Sequence, residues 1–200
     1  NGYTLFSAPK LGVNLINMNG KIVRHWKDMY GFPPKFLPGG HMIASRGTRP
    51  AANGYQDQED LTMVDMDGKV EWSFDHNQLI NDPDGERWMA RQHHDFQVTG
   101  NPVGYYVPGM DPDPNFDKML LLTHNDVKKP KISPQNLLDD RLIEIDRDGN
   151  ITWEWSVIDH FNQFGFSEEQ KNAMFRNPNT QNAGPEGQGD IFHCNCACSP

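Results

Sequence analysis

The sequence predicts an all-β chain built from repeated units of short strands. The first observation is a pattern that occurs three times: Leu15-Ile-Asn-Met-Asn-Gly-Lys-Ile-Val-Arg-His-Trp26, Met63-Val-Asp-Met-Asp-Gly-Lys-Val-Glu-Trp-Ser-Phe74 and Ile143-Glu-Ile-Asp-Arg-Asp-Gly-Asn-Ile-Thr-Trp-Glu-Trp155. Each copy alternates apolar residues up to an Asn-Gly or Asp-Gly pair, then alternates Val or Ile with aromatics, which is a hairpin signal because the turn wants φ > 0. The second is spacing: the turn glycines Gly20, Gly68 and Gly149 stand 48 and 81 residues apart. A period near 48, made of short strands, fits a β-propeller whose blades have about four strands each. The third is the pair of short apolar runs ahead of each later hairpin.

Taken in order, the elements are these. A partial blade covers about 3–27. Lys35-Phe-Leu and His41-Met-Ile-Ala-Ser, separated by Pro38-Gly-Gly40, precede the second hairpin and give a full blade at about 35–75. His94-Asp-Phe-Gln-Val and Met119-Leu-Leu-Leu-Thr-His precede the third and give a blade at about 93–156. The longer interval is absorbed by an insertion at Pro108 to Asn115. A helix-containing insertion spans 159–189: Ser167-Glu-Glu-Gln170 is a capping box opening a short helix to about Arg176, and Asn177 to Gly189 is loop. Another blade is expected to start at Asp190-Ile-Phe-His-Cys-Asn. The whole, 1–200, reads as an incomplete arc of about three blades. Closed propellers typically have four to eight, so the remainder of the ring is expected from a longer polypeptide or a second chain.

Composition narrows the function. With 18 basic and 27 acidic residues the formal charge is −9, the wrong sign for a nucleic-acid surface. No apolar run approaches the roughly 20 residues of a membrane helix, so no membrane span is expected. The chain begins at Asn1 without a methionine or a basic-apolar leader, which reads as a processed or truncated sequence. The three cysteines, Cys194, Cys196 and Cys198, are odd in number and crowded at one end, which does not suggest a disulfide framework.

Of eight histidines, His25, His41, His76 and His160 read as structural or surface groups, and His124, on a second strand, is expected to stay away from the axis. His93-His94-Asp95 and Phe192-His193-Cys194-Asn195 each open a blade, where the innermost strand faces the channel, so their imidazoles are expected to converge. A divalent ion held by His93 or His94 with His193 and Asn195 lacks any His-x₃-His or Cys-x₂-Cys spacing. On a strand, the thiols of Cys194, Cys196 and Cys198 would face away from His193 and Asn195. Asp111-x-Asp113-x₃-Asp117 resembles a calcium loop without its central Gly and terminal Glu. Neither metal nor cofactor is expected. Nucleotide cradles and serine-hydrolase elbows are missing as motifs.

Several stretches resemble the bacterial arylsulfotransferases that use aryl sulfate esters as donors: Gly31-Phe-Pro-Pro-Lys-Phe-Leu-Pro-Gly-Gly-His-Met, Trp72-Ser-Phe-Asp-His-Asn, Ala90-Arg-Gln-His-His-Asp-Phe-Gln, Gly100-Asn-Pro-Val-Gly-Tyr-Tyr, Leu138-Asp-Asp-Arg-Leu-Ile-Glu and Trp153-Glu-Trp-Ser. The resemblance implies a six-bladed propeller, export to the periplasm, and ping-pong transfer of a sulfuryl group between phenols through a sulfohistidine. It implies catalytic roles for His94 and His193 as donor or oxyanion contacts, and substrate contacts for His93 and Asn195. Phenolic sulfates and phenols are the implied small-molecule partners. The family's nucleophilic histidine and sulfate-binding arginine would lie past Pro200, leaving the 200 residues inactive alone. Where the family continues with small residues, this chain reads Asn195-Cys-Ala-Cys-Ser-Pro. Two other readings stand beside this one: a non-catalytic propeller scaffold, and a metal-dependent enzyme using the same histidines.

Overall fold

The computed structural model describes residues 2–8, 10–31, 33–50, 57–100, 116–178 and 189–197. These form thirteen strands in four antiparallel sheets, a 3-10 helix and one α-helix. The first sheet has three strands, β1 (Tyr3–Ala8), β2 (Gly12–Asn17) and β3 (Ile22–Trp26). The second has four in chain order: β4 (Lys35–Leu37), β5 (His41–Ala44), β6 (Leu61–Val64) and β7 (Val70–Phe74). A separate two-stranded hairpin follows, β8 (Gln78–Asp82) and β9 (Gly85–Met89). The third large sheet runs β10 (Gln92–Val98), β11 (Lys118–Val127), β12 (Leu137–Asp146) and β13 (Ile151–Ser156). The all-β expectation holds at this level.

The three glycine hairpins share one mechanism. In each, the glycine amide donates to the Asx carbonyl three residues back: Gly20 to Asn17 at 2.9 Å, Gly68 to Asp65 at 3.0 Å and Gly149 to Asp146 at 3.1 Å. The Asx side chain accepts amides across the turn, as Asp65 Oδ1 does from Asp67 at 2.8 Å and Lys69 at 2.9 Å. Each glycine has φ of +74° to +85° and a one-residue register slip follows it. This is a type I turn closed by a glycine bulge, in which the glycine alone takes the left-handed conformation.

Period-two alternation explains how the sheets stack. On β5, Met42 and Ala44 enter one apolar cluster and Ile43 the other; on β6, Val64 joins the first while Leu61 and Met63 join the second. The second sheet is therefore buried on both faces, against the first sheet (Val13, Leu15, Trp26) and the third (Phe96, Met119, Leu121, Ile143, Ile145). A tryptophan links each neighbouring pair. Trp26 Nε1 donates to the Asp65 carbonyl at 3.4 Å and Trp72 Nε1 to the Arg147 carbonyl at 2.8 Å, so each indole reaches the glycine turn of the following sheet.

The insertion after β13 is a 3-10 helix (Val157–Phe164) followed by α1 (Glu168–Arg176). Ser167 and Gln170 form both bonds of the capping box expected from the sequence. The Pro108–Asn115 insertion, with Asp111 and Asp113, lies outside the described residues, as does Cys198. Residues 189–197 contain no strand; an isolated parallel bridge joins Asp190 to Leu138 where the sequence reading begins another blade. The segment is held by single contacts to the third sheet in place of a ladder. Leu138 N donates to Gly189 O at 3.1 Å, Cys194 N to Asp140 Oδ2 at 2.9 Å and Ala197 N to Asp95 Oδ2 at 3.2 Å. The strand alternation expected to separate the cysteines from His193 and Asn195 is accordingly absent. No helix among the described residues is long and apolar enough to cross a membrane.

Candidate functional site: a buried histidine and carboxylate cluster

The opening of the third sheet is irregular where the sequence places His93 and His94. Gln92 pairs with Thr123 and Phe96 with Leu121, so four steps along β10 oppose two along β11. Such bulges re-aim side chains. Within it His94 adopts φ +54°, with Arg91 just before it at +53°. His193 adopts +52°. Left-handed backbone is uncommon for residues other than glycine and is found where surrounding structure imposes it. Asp95 secures the bulge by accepting from Lys35 Nζ at 2.5 Å and from its neighbour Phe96 N at 2.9 Å.

His94 and His193 are brought together as the sequence reading requires. Their rings meet edge to face with centroids 5.1 Å apart and planes at 81°. Asp190 Oδ2 lies 2.7 Å from His193 Nδ1 and accepts its proton, which fixes that ring. Burial, then the neighbouring His193 and His124, hold the His94 pKa below its usual value.

The other two residues expected to touch substrate fare differently. His93 has no solvent exposure and stands behind His94, its Nδ1 3.0 Å from His94 Nδ1. Direct substrate contact is closed to it in this structure, because the bulge turns one imidazole of the pair inward. Asn195 is exposed, and its amide donates to the His193 carbonyl at 3.1 Å. The sequence reading also kept His124 away from the site, whereas it lies at the centre, fully buried, its ring stacked on His93 at 3.6 Å and 15°. Register explains this: His124 on β11 is the cross-strand partner of Asp140 on β12.

Around these rings the chain buries more charge than its core needs. His93 Nε2 lies 3.1 Å and His124 Nε2 3.7 Å from Asp140 Oδ1, while His124 Nδ1 is 2.5 Å from Asp57 Oδ1. Arg91 Nε donates to Asp57 Oδ2 at 2.8 Å, and Arg49 Nη1 reaches the same oxygen at 3.2 Å. Arg49 then forks onto Asp82 at 2.6 and 2.9 Å. Burial favours protonating Asp57, but the Arg91 charge and the His124 contact outweigh it and hold the carboxyl well below the usual range. Burial alone would likewise raise Asp140; the His93 contact and the Cys194 amide bring it down. His93 is lowered to about 4, by burial first and by His124 second. Asp139, the residue before Asp140, is raised to about 7 by burial and the adjacent Asp140 charge. Burial, with Asp140 beside it, pushes the Cys194 thiol up to about 12, which keeps it from being a free thiolate nucleophile at neutral pH.

The donor atoms of His93, His124 and Asp140 lie within 4.8 Å of one another. A metal takes an imidazole lone pair in the plane of the ring. Two rings stacked at 3.6 Å and only 15° from parallel have planes that do not meet within the roughly 2 Å reach of a metal–nitrogen bond. One ion could engage one of these rings in plane, not both. The arrangement suits proton placement better than metal binding.

The remaining histidines behave as the sequence suggests. His25 Nε2 contacts the Leu11 carbonyl at 2.5 Å, His41 pairs with Glu71, His76 sits beside Asp75 and stacks on Trp88, and His160 stacks on Trp155. Asp57, Arg91, Asp140 and Asp190 were not singled out from sequence. The available signal for Asp140 was a pair of adjacent carboxylates, Asp139-Asp140, directly after Leu137-Leu138 in the strand. Comparisons with protein-family models, with curated proteins and with solved structures returned no match.

Proposed function

We propose that this chain carries part of the active centre of an aryl-sulfate sulfotransferase of the exported, nucleotide-independent kind, with its stacked sheets as blades of a propeller arc. The observation that carries the reading is the meeting of His94 and His193, each held at positive φ, with rings 5.1 Å apart. The quoted motifs supply the chemistry by resemblance. The repeated tryptophan-to-turn contact supports the blade reading, and Trp153, which holds in the third hairpin the place of Trp72 in the second, is half exposed.

Sulfuryl transfer, like phosphoryl transfer, has a loose transition state, so catalysis is largely positioning and neutralising charge on the oxygens. Two imidazoles meeting edge to face suit contacts to a sulfate ester, one accepting and one donating a proton. Both are contacts in this reading; the sulfur-carrying histidine is a separate residue. Binding is therefore the property asked of the 200 residues themselves. Titrating ¹⁵N-histidine-labelled chain with p-nitrophenyl sulfate should move the ring resonances of His94 and His193 and leave those of His25 and His76 in place. In the intact enzyme, with the sulfur-carrying histidine supplied, His94→Ala or His193→Ala should lower the rate of transfer to a phenol acceptor about 10²–10⁴-fold, the usual range for one acid–base group. Unmoved resonances at millimolar ester, or an unchanged rate, would assign the cluster to a binding scaffold or to structure.

A further inference from the structure

We infer that Asp140 and His93 are positioning residues that fix the tautomer of His94, holding its proton on Nδ1 toward the interior and its lone pair on Nε2. The chain of reasoning has three contacts. Cys194 N donates to Asp140 Oδ2 at 2.9 Å, which leaves Oδ1 to face His93 Nε2 at 3.1 Å. The two atoms are misaligned for a linear hydrogen bond, yet at 3.1 Å the carboxylate charge still favours a nitrogen that bears hydrogen over one that bears a lone pair. Nε2 of His93 therefore bears hydrogen. His93 is fully buried and stacked on His124, a setting that keeps it neutral, so its single proton is spent there. Its Nδ1 then has only a lone pair to offer His94 Nδ1 at 3.0 Å, and that contact requires His94 to be the donor. A neutral His94 with Nδ1–H carries its lone pair on Nε2.

The logic is that of a carboxylate orienting a catalytic imidazole, extended by one ring. It gives the two meeting histidines different work. His193 is oriented by Asp190, which accepts from its Nδ1, and takes the donor's part when its ring carries two protons. His94 is the acceptor: in the proposed reaction a phenol hydroxyl passes its proton to Nε2, leaving phenoxide and an imidazolium that later returns the proton to water. This assignment of work rests on the proposed function, whereas the tautomer itself does not.

The experiment separates the two. Long-range ¹H–¹⁵N correlation on ¹⁵N-histidine-labelled chain reads which ring nitrogen bears hydrogen, with no substrate present. The expected result is Nε2–H for His93 and Nδ1–H for His94. In Asp140→Asn the Cys194 amide still demands an oxygen at the Oδ2 position, which turns the new NH₂ toward His93 Nε2. His93 must then move its proton to Nδ1 and His94 its proton to Nε2, so the protonated and bare nitrogen signals of both rings exchange places. A residue with a merely structural role would not move them. The inference is overturned if His94 in the native chain is the Nε2–H form, or if a folded Asp140→Asn variant keeps the native tautomers. Should that variant not fold, the native spectrum alone decides.

Discussion

Asp139 offers a direct test of how this cluster is charged. Its Oδ1 accepts from Ile158 N at 2.9 Å, at the start of the 3-10 helix, while its buried Oδ2 has no hydrogen-bond partner. Its pKa rises from the ordinary 3.8 to about 7. A carboxyl raised on folding stabilises most below the unfolded value, and that contribution drains away as pH climbs to the folded one. His93 tilts the other way. Lowered from 6.5 to about 4, it costs stability as pH falls from 6.5 toward 4, because the unfolded chain takes up a proton that the folded one refuses. Between pH 4 and 6.5 the two slopes oppose each other, and the native protein should respond weakly to pH from this pair. Asp139→Asn keeps the acceptor for Ile158 and deletes one slope. From pH 5 to 7 that slope is worth at most about 2.7 kcal/mol at about 1.4 kcal/mol per unit, and about half that after solvent relaxation. A chain of this size shifts roughly 2–4 °C per kcal/mol. Thermal melts at pH 5 and pH 8 should therefore show the variant-minus-native Tm difference moving about 3–10 °C in the variant's favour. A difference that stays constant with pH would mean that Asp139 ionises normally and the burial argument is wrong.

Other expectations follow from the same contacts. Arg91→Met removes the nearest guanidinium from buried Asp57 and should cost about 3 kcal/mol in urea unfolding; a loss below 1 kcal/mol would show Arg49 and His124 to be sufficient partners. Trp72→Phe deletes the indole hydrogen bond to the Arg147 carbonyl and should cost about 0.5–1.5 kcal/mol beyond lost packing, whereas Trp153→Phe at the matching half-exposed position should stay within about 0.5 kcal/mol. At His193, held at φ +52°, glycine should be more stable than alanine by about 1 kcal/mol, the reverse of their order at ordinary strand positions. Equal melting points for the two would remove the backbone strain from the account.

What the sequence made legible was local. An Asn-Gly or Asp-Gly pair between alternating apolar runs carries its own turn, because glycine accepts φ > 0 without strain; all three hairpins were visible for that reason, and the Asx three residues before each glycine adds a cap that the sequence reading did not use. The capping box at Ser167 and Gln170 was visible on the same ground. The β8–β9 hairpin was missed although Asp84-Gly85 signals a turn within it, since it departs from the glycine-then-tryptophan pattern used to find the others. His124 was misjudged because strand order suggested distance from the axis, while the actual pairing sets it opposite Asp140. That register is decided across the nine residues, 128–136, between β11 and β12 and by the third sheet's core. Residues 189–197 show the limit from the other side: alternation suggested a strand, but the segment is tied down by carboxylates of Asp95 and Asp140, and such ties leave no periodic trace.

The distribution of strain argues that the cluster was kept for work. Among the described residues four that are not glycine have positive φ, and three of them, Arg91, His94 and His193, belong to the cluster; the fourth, Lys10, sits in a surface turn. The same cluster holds the stacked imidazoles of His93 and His124 and the two arginines, Arg91 and Arg49, that satisfy Asp57. A core built only for stability gains more from apolar side chains of equal volume than from buried ion pairs, whose desolvation offsets their attraction. Sequences usually violate local preference and buried polarity together at functional positions. Here the two coincide where the third sheet opens and where the 189–197 segment crosses it. The fold is regular where it only has to stack, and irregular where two imidazoles must meet.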